Sequence, residues 1–225
     1  MKQVLSWLRA FDELFFPRRA PCPFCAERPG TALGPCRACY DSLAVQWKKS
    51  EIHGHPYYSL LPYQGYARDL IHKMKFQNGF AIAAALGRLV GFALREELGV
   101  QRSGVLLPVP LHSSRLQRRG FNHARLLADS ISEVWRLPVS AGMVRLRPTV
   151  PQSGLSVSER RRNLMGAFAV LPGENWLDRQ CVIIDDVITS GFTFSTMAKI
   201  VQRYGGRPLG VFVARTEIDG GGSGA

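Results

Sequence analysis

Residues 181–193 read Cys-Val-Ile-Ile-Asp-Asp-Val-Ile-Thr-Ser-Gly-Phe-Thr, an apolar β-branched run that ends in two acids and a short loop of hydroxyls and glycine. Val182 to Ile184 predict a buried parallel strand, with Asp185 and Asp186 at its C-terminal end, the edge where open α/β sheets bind ligands. Beyond the loop, Phe194, Met197, Ile200, Val201 and Tyr204 recur at helical spacing until Gly205-Gly206. The loop therefore opens a helix, and its backbone N–H groups face a bound anion. Thr189, Ser190 and Thr193 add hydroxyl donors, and Gly191 lets the backbone approach without a Cβ in the way. Two carboxylates suit a partner that offers hydroxyl donors or a hydrated Mg2+. A phosphorylated ribose is the simplest ligand that satisfies both halves. A strand whose acids merely cap the next helix, or an acidic pocket for a metal alone, needs one half but not both.

These thirteen residues resemble the phosphoribosyl-pyrophosphate (PRPP) signature of type I phosphoribosyltransferases. The resemblance implies a PRPP site made of Asp185, Asp186, Val187, Ile188, Thr189, Ser190, Gly191, Phe192 and Thr193. In it the acidic pair contacts the ribose 2′ and 3′ hydroxyls and Thr189 to Thr193 hold the 5′-phosphate.

Working outward, Val105 to Leu107 predict a second short buried strand ending at Pro108-Val109-Pro110, and Gly166 to Leu171 and Leu209 to Ala214 predict two more. Helical spacing follows Tyr63 and runs through Ile82, Leu86, Leu89, Val90 and Ala93, then recurs at Leu127, Ile131 and Trp135. Strands alternating with helices imply an α/β fold, a mostly parallel sheet flanked by helices. That fold is type I phosphoribosyltransferase-like by the resemblance, with a core expected over residues 56–217.

Cys22-Pro-Phe-Cys25 and Cys36-Arg-Ala-Cys39 are two C-x-x-C knuckles with ten residues between them. Four thiolates so spaced predict a closed structural Zn2+ site in a small module over residues 21–50, too short to bury a core of its own. Disulfides and a rubredoxin-like iron are the alternatives. Cys181 opens the buried strand and reads as an inert core thiol. Residues 1–20 predict an amphipathic helix, with Val4, Leu5, Leu8, Phe11 and Phe15 on one stripe. Residues 218–225, rich in glycine, read as a flexible tail or linker.

The chain carries 29 Lys and Arg against 17 acids, a net charge of +12, which favours polyanionic partners. No apolar run approaches the roughly 20 residues that cross a bilayer, and the expected setting is the cytoplasm. Two segments concentrate the arginines. In the first, residues 108–123, Arg115, Arg118 and Arg119 follow a strand at the same sheet edge as the acids. They are candidates for catalytic pyrophosphate contacts, because guanidinium matches phosphate oxygens in pairs; a solvated basic helix face is the other reading. The second, residues 149–163, reads as a mobile loop.

Together the Pro-Val-Pro-Leu-His run at 108–112, Arg-Gly-Phe-Asn at 119–122, Glu159-Arg160, Asn163 and Gly166-Ala-Phe168 resemble the ComF family, as does the four-cysteine module ahead of them. His123 stands where that family pattern leads one to expect glutamine. The resemblance implies a role in natural competence, the import of single-stranded DNA, and two function classes follow. As an enzyme, the chain would bind Mg2+ and PRPP, with Asp185, Asp186 and the arginines in the catalytic set. As a binding protein, it would track single-stranded DNA or meet the DNA-uptake machinery, with Trp47, Tyr57, Tyr58, Tyr63, Tyr66 and Phe76 as stacking platforms. The acidic pair favours retained PRPP or ribose-phosphate binding, since carboxylates repel a DNA backbone. A phosphoribosyltransferase of nucleotide metabolism with no DNA role is the alternative. His53 and His55 are not expected to bind a metal, and His72, Lys73 or Lys75 could approach a phosphate.

Overall fold

The computed structural model describes residues 20–31, 34–76, 79–99, 103–148 and 166–216. The expected N-terminal helix, the arginine-rich segment 149–163 and the tail at 218–225 lie outside them. In chain order, α1 (Arg37–Asp41) closes the cysteine module, and β1 (Lys48–Ile52) and β2 (His55–Pro62) form a hairpin. Helices α2 (Gly65–Phe76) and α3 (Gly79–Leu98) lead to β3 (Gly104–Pro108), followed by α4 (Ser113–Arg119) and α5 (His123–Trp135). After them β4 (Met143–Arg145) pairs with β5 (Phe168–Val170), and β6 (Gln180–Ile188), α6 (Phe192–Arg203) and β7 (Arg207–Arg215) are the last of the described elements.

The main sheet has the order β1-β2-β7-β6-β3, parallel throughout except for the β1–β2 pair at one edge. This is the α/β architecture expected, a mostly parallel sheet flanked by helices. Strand β6 lies between β3 and β7 and is apolar on both faces, as a strand covered on both sides must be. Val182 and Ile184 join the core under α2, α3 and α5, while Cys181 and Ile183 join the opposite core under α6. Cys181 is fully buried, and burial pushes its thiol up to about 11, which makes it inert.

Helix α3 meets α5 through glycines. A Cβ at Gly87 would lie 2.7 Å from Ser130 Cβ and 2.8 Å from the Leu127 carbonyl oxygen. Gly87→Val should therefore force the helices apart, at a cost of about 1–3 kcal/mol for overpacking. A fall of several degrees in Tm, read by calorimetry, is the expected outcome; an unchanged Tm would mean that the helix contact is looser than described.

One feature differs from the sequence expectation. The strand at 166–171 does not enter the main sheet: Phe168–Val170 pairs antiparallel with Met143–Arg145 in a separate ribbon, held down by Met143, Ala167 and Phe168. The passage around residues 45–60 forms the β1–β2 hairpin. Pro56 and Pro62 fall at the two ends of β2, where a missing N–H is tolerated. His53 and Gly54 make its two-residue turn with φ of 52° and 76°, the left-handed pair that suits the strand twist.

Candidate functional site

Pro108 ends β3 opposite Ile184, and the last bond on that side runs from the Val109 N–H to the Ile184 carbonyl, 2.9 Å. β6 continues to Ile188 with only β7 beside it. Asp185 and Asp186 thus lie toward the C-terminal end of β6, and they face the crevice that the early stop of β3 leaves open.

Two helices converge on the pair. Lys75, in the last turn of α2, places Nζ 2.8 Å from Asp186 Oδ2. His123, the first residue of α5, places Nε2 3.1 Å from the same oxygen and 3.9 Å from Asp185 Oδ1. Asn122 sets the position of His123: its side chain accepts from the Ala124 N–H as helix cap and donates to the Val109 carbonyl. The Asp186 N–H donates to Asp185 Oδ1 at 2.9 Å.

The two acids are driven in opposite directions. Burial would raise Asp186, but His123 and Lys75 outweigh it and hold the carboxyl far below the usual range. Burial also opposes the charge on Lys75, yet Asp186 holds the ammonium above its ordinary value. Asp185 has less help. Burial, and then the charge of Asp186, push it up to about 6. Its ionised form at neutral pH is therefore costly until a hydroxyl donor or cation arrives.

Past Ile188 the loop begins with exposed Thr189 and reaches Gly191, which starts α6 with φ 70° and no side-chain cap. The helix start thus lacks a side-chain cap, the setting in which first-turn N–H groups take an anion. A cavity of about 40 Å3 joins Asp185 to the loop, lined also by Val187, Thr189, Gly191 and Thr193. Ile188 is buried below it, and Phe192 is half-buried at the start of α6. Two larger concavities, of about 510 and 600 Å3, lie elsewhere, beside the cysteine module and beside Trp47. Neither joins a buried acid to a helix-start loop.

Arg115, Arg118 and Arg119 fall on α4, one short helix. Burial lowers the Arg115 guanidinium, and the charges of Arg119 and Arg118 lower it further. Arg119 reaches inward, its Nη1 3.4 Å from His123 Nδ1, with its guanidinium 5.4 Å from the centre of the Phe76 ring. Arg145 on β4 joins the group: burial and the charge of Arg115 lower it, Asp185 opposes that shift, and its guanidinium lies over the Phe168 ring. The sequence reading passed over Arg145, because nothing local marks a strand arginine as part of a site built by distant elements.

His53 was also missed as a neighbour of the loop. From the hairpin turn its Nε2 donates to the Ser190 carbonyl at 2.9 Å, and its ring lies 4.8 Å from that of Phe192. Next to it Ile52 fills the space over Gly191, where a Cβ would come within 2.6 Å of Ile52 Cδ1. Lys75 stands at the acids, whereas His72 and Lys73 are exposed on α2. Of the six aromatics considered for stacking, Tyr57 and Tyr58 are buried, and Trp47, Tyr63 and Tyr66 pack against the core. Phe76 is the exposed one, at 62%.

The sulfurs of Cys22, Cys25, Cys36 and Cys39 all lie within 4.8 Å of one another, and those of Cys25 and Cys36 are 3.9 Å apart. Metal–sulfur bonds of about 2.3 Å in a tetrahedron place sulfurs about 3.8 Å apart, so the four thiols fit a metal ion. The Cys36 N–H donates to Cys22 Sγ and the Tyr66 hydroxyl to Cys39 Sγ. The donor atoms of His123, Asp185 and Asp186 are similarly close, but the Lys75 ammonium already stands against Asp186. That fixed charge favours a hydrated cation arriving with its ligand over one bound directly. Among the described residues no helix is long and apolar enough to cross a membrane.

No family model matches the chain. It is 34% identical to competence protein F of Haemophilus influenzae over 190 residues, 81% of this chain and 80% of that protein. It is also 34% identical to the DNA utilization protein YhgH of Salmonella typhi, over 85% of this chain and 82% of that one. To competence protein ComFC of Bacillus subtilis it is 25% identical, over 82% of this chain and 72% of the other. Similar solved structures include a glutamine PRPP amidotransferase from B. subtilis, with TM-score 0.41 and 18% identity over 62% of this chain. This chain spans 29% of that enzyme's length. A purine phosphoribosyltransferase from Pyrococcus horikoshii gives TM-score 0.36 and 17% identity over 59% of this chain and 83% of its own.

Proposed function

The chain belongs to the competence protein F family, and from that premise we propose that it binds PRPP, or a related ribose phosphate, together with Mg2+, and handles imported single-stranded DNA in competence. The observation that carries the reading is the crevice where two carboxylates of unlike character adjoin an uncapped helix start. Asp186 is already paired with Lys75 and in contact with His123, while Asp185 carries a charge that ribose hydroxyls or the water shell of Mg2+ would relieve. The 5′-phosphate would take the N–H groups of residues 189–193, and a pyrophosphate would face Arg115, Arg118 and Arg119 of α4. The four cysteines would hold zinc, in a protein of the cytoplasm.

Calorimetric titration of the full chain with PRPP, with and without Mg2+, tests the reading. Saturable, Mg2+-dependent binding is expected; heat that does not saturate would sink it. The same titration reads Asp185. Its proton must leave before the carboxylate can accept from ribose or hold hydrated Mg2+, so affinity should fall as the pH drops through about 6. Binding near that pH should release protons, seen as heat that varies with the buffer, and binding at about pH 8 should release none. Equal affinity across the range would remove Asp185 from the ligand. If the protein binds PRPP but no oligonucleotide, the alternative holds: a phosphoribosyltransferase of nucleotide metabolism without a DNA role.

A further inference from the structure

Beside the acidic crevice, and sharing its arginines, lies a pair of exposed aromatic rings that sugar-phosphate binding does not use. Phe76 and Phe80 stand at the facing ends of α2 and α3 and are 62% and 61% exposed. Large apolar rings that open to water at this level are uncommon unless something covers them. Each is nevertheless held in place. Phe76 lies between His72, ring to ring at 4.8 Å, and the Arg119 guanidinium at 5.4 Å. Phe80 packs at 4.8 Å on Phe121, and a Cβ at Gly79 would come within 2.5 Å of the Phe121 ring, so only glycine lets that ring lie against the start of α3.

The helix turns that carry and meet these rings are basic. The last turn of α2 carries Lys73 and Lys75, the last turn of α4 carries Arg118 and Arg119, and α4 contains no acid. The surface is also tied to the crevice. Phe76 follows Lys75, which bonds Asp186, and Arg119 touches both Phe76 and His123.

The geometry points to Phe76 and Phe80, backed by Phe121 and ringed by Lys73, Arg118 and Arg119, as the platform on which unpaired bases of single-stranded DNA stack. The inference deepens the DNA half of the function proposed above and rests on it. Exposed rings beside guanidinium groups are what a single strand recognises: every base has a face to stack, and every phosphate needs a cation. A duplex hides its base faces. An acidic or purely apolar protein partner would leave either the arginines or the rings without a counterpart.

The test is fluorescence anisotropy with labelled oligothymidylate and the full, metal-loaded chain, comparing wild type with Phe76→Ala/Phe80→Ala and with Phe80→Trp. Both rings are exposed, so the alanine variant should keep its Tm and metal content. Base stacking at about 1–3 kcal/mol per base implies at least a tenfold loss of oligothymidylate affinity in the double alanine variant, with Phe80→Trp retaining it. Mg2+-PRPP affinity, read by calorimetry on the same samples, should not change. Oligothymidylate affinity equal to wild type in the alanine variant would overturn the platform while leaving the ribose-phosphate reading intact. A wild-type chain that ignores oligothymidylate would overturn it too. So would a wild-type dimer that the alanine pair turns into a monomer of unaltered DNA affinity, since the rings would then belong to a self-association face.

Discussion

Replacing both carboxylates, Asp185→Asn with Asp186→Asn, should abolish measurable Mg2+-dependent PRPP binding. Each charged acceptor facing a hydroxyl contributes about 1.5–3 kcal/mol, so losing two lowers affinity by more than about a hundredfold. The fold should survive, because asparagine keeps the shape of the side chain and an acceptor oxygen for Lys75 and His123, which stand 2.8 Å and 3.1 Å from Asp186. Unchanged metal content and circular dichroism would assign the loss to charge rather than to unfolding. Should the asparagine pair bind PRPP as wild type does, the ribose lies elsewhere and the crevice has another use.

Removing the metal proposed for the cysteine module should have the largest effect on stability. Cys22, Cys36, Cys39, Phe24 and Leu43 belong to the same core as Leu70 of α2 and Leu86 of α3. The module is therefore not an appendage; it roofs the helices that carry Lys75 and Phe76. Structural zinc contributes about 10–16 kcal/mol in zinc-finger peptides, of which a module packed on a larger core depends on only a part. Chelation, or Cys22→Ser with Cys36→Ser, is expected to lower Tm sharply and to open residues 20–43 to protease. A serine pair that melts with wild type and resists protease would show that packing alone holds the module.

What could be read from the sequence was local. Val182 to Ile184 announce a buried strand because β-branched residues suit a covered pleat, and the cysteine spacing announces a metal because each knuckle is a short turn. The acids were expected at the C-terminal end of the strand, and β6 carries them there because it keeps one partner, β7, after β3 has stopped. The rest of the site depends on contacts between distant positions. His53 reaches Ser190 across 137 residues, and no local pattern tells a turn histidine that touches a loop from one that faces solvent. Arg145 owes its place to the ribbon with Phe168, which a helix–strand alternation gives no reason to separate from the main sheet. Of the six aromatics, periodicity could not distinguish exposed Phe76 from buried Tyr57 and Tyr58, because each follows from packing of the finished sheet.

Strand β7 lies between β2 and β6, although it is the last of the three to be synthesised. The hairpin that holds the Ser190 carbonyl hangs from β2, and the loop itself hangs from β6, so no hydrogen-bonded ladder joins them until β7 has inserted. A nascent chain still lacking residues 207–215 can form the β1–β2 hairpin and the β3–β6 pair, yet it cannot bring His53 to the loop. Closing that long interval is slow, because chain entropy is lost before parallel pairing returns any of it. Ligand binding should therefore appear late during synthesis, after release of the final strand, and sugar phosphate in the cell would meet no half-made site.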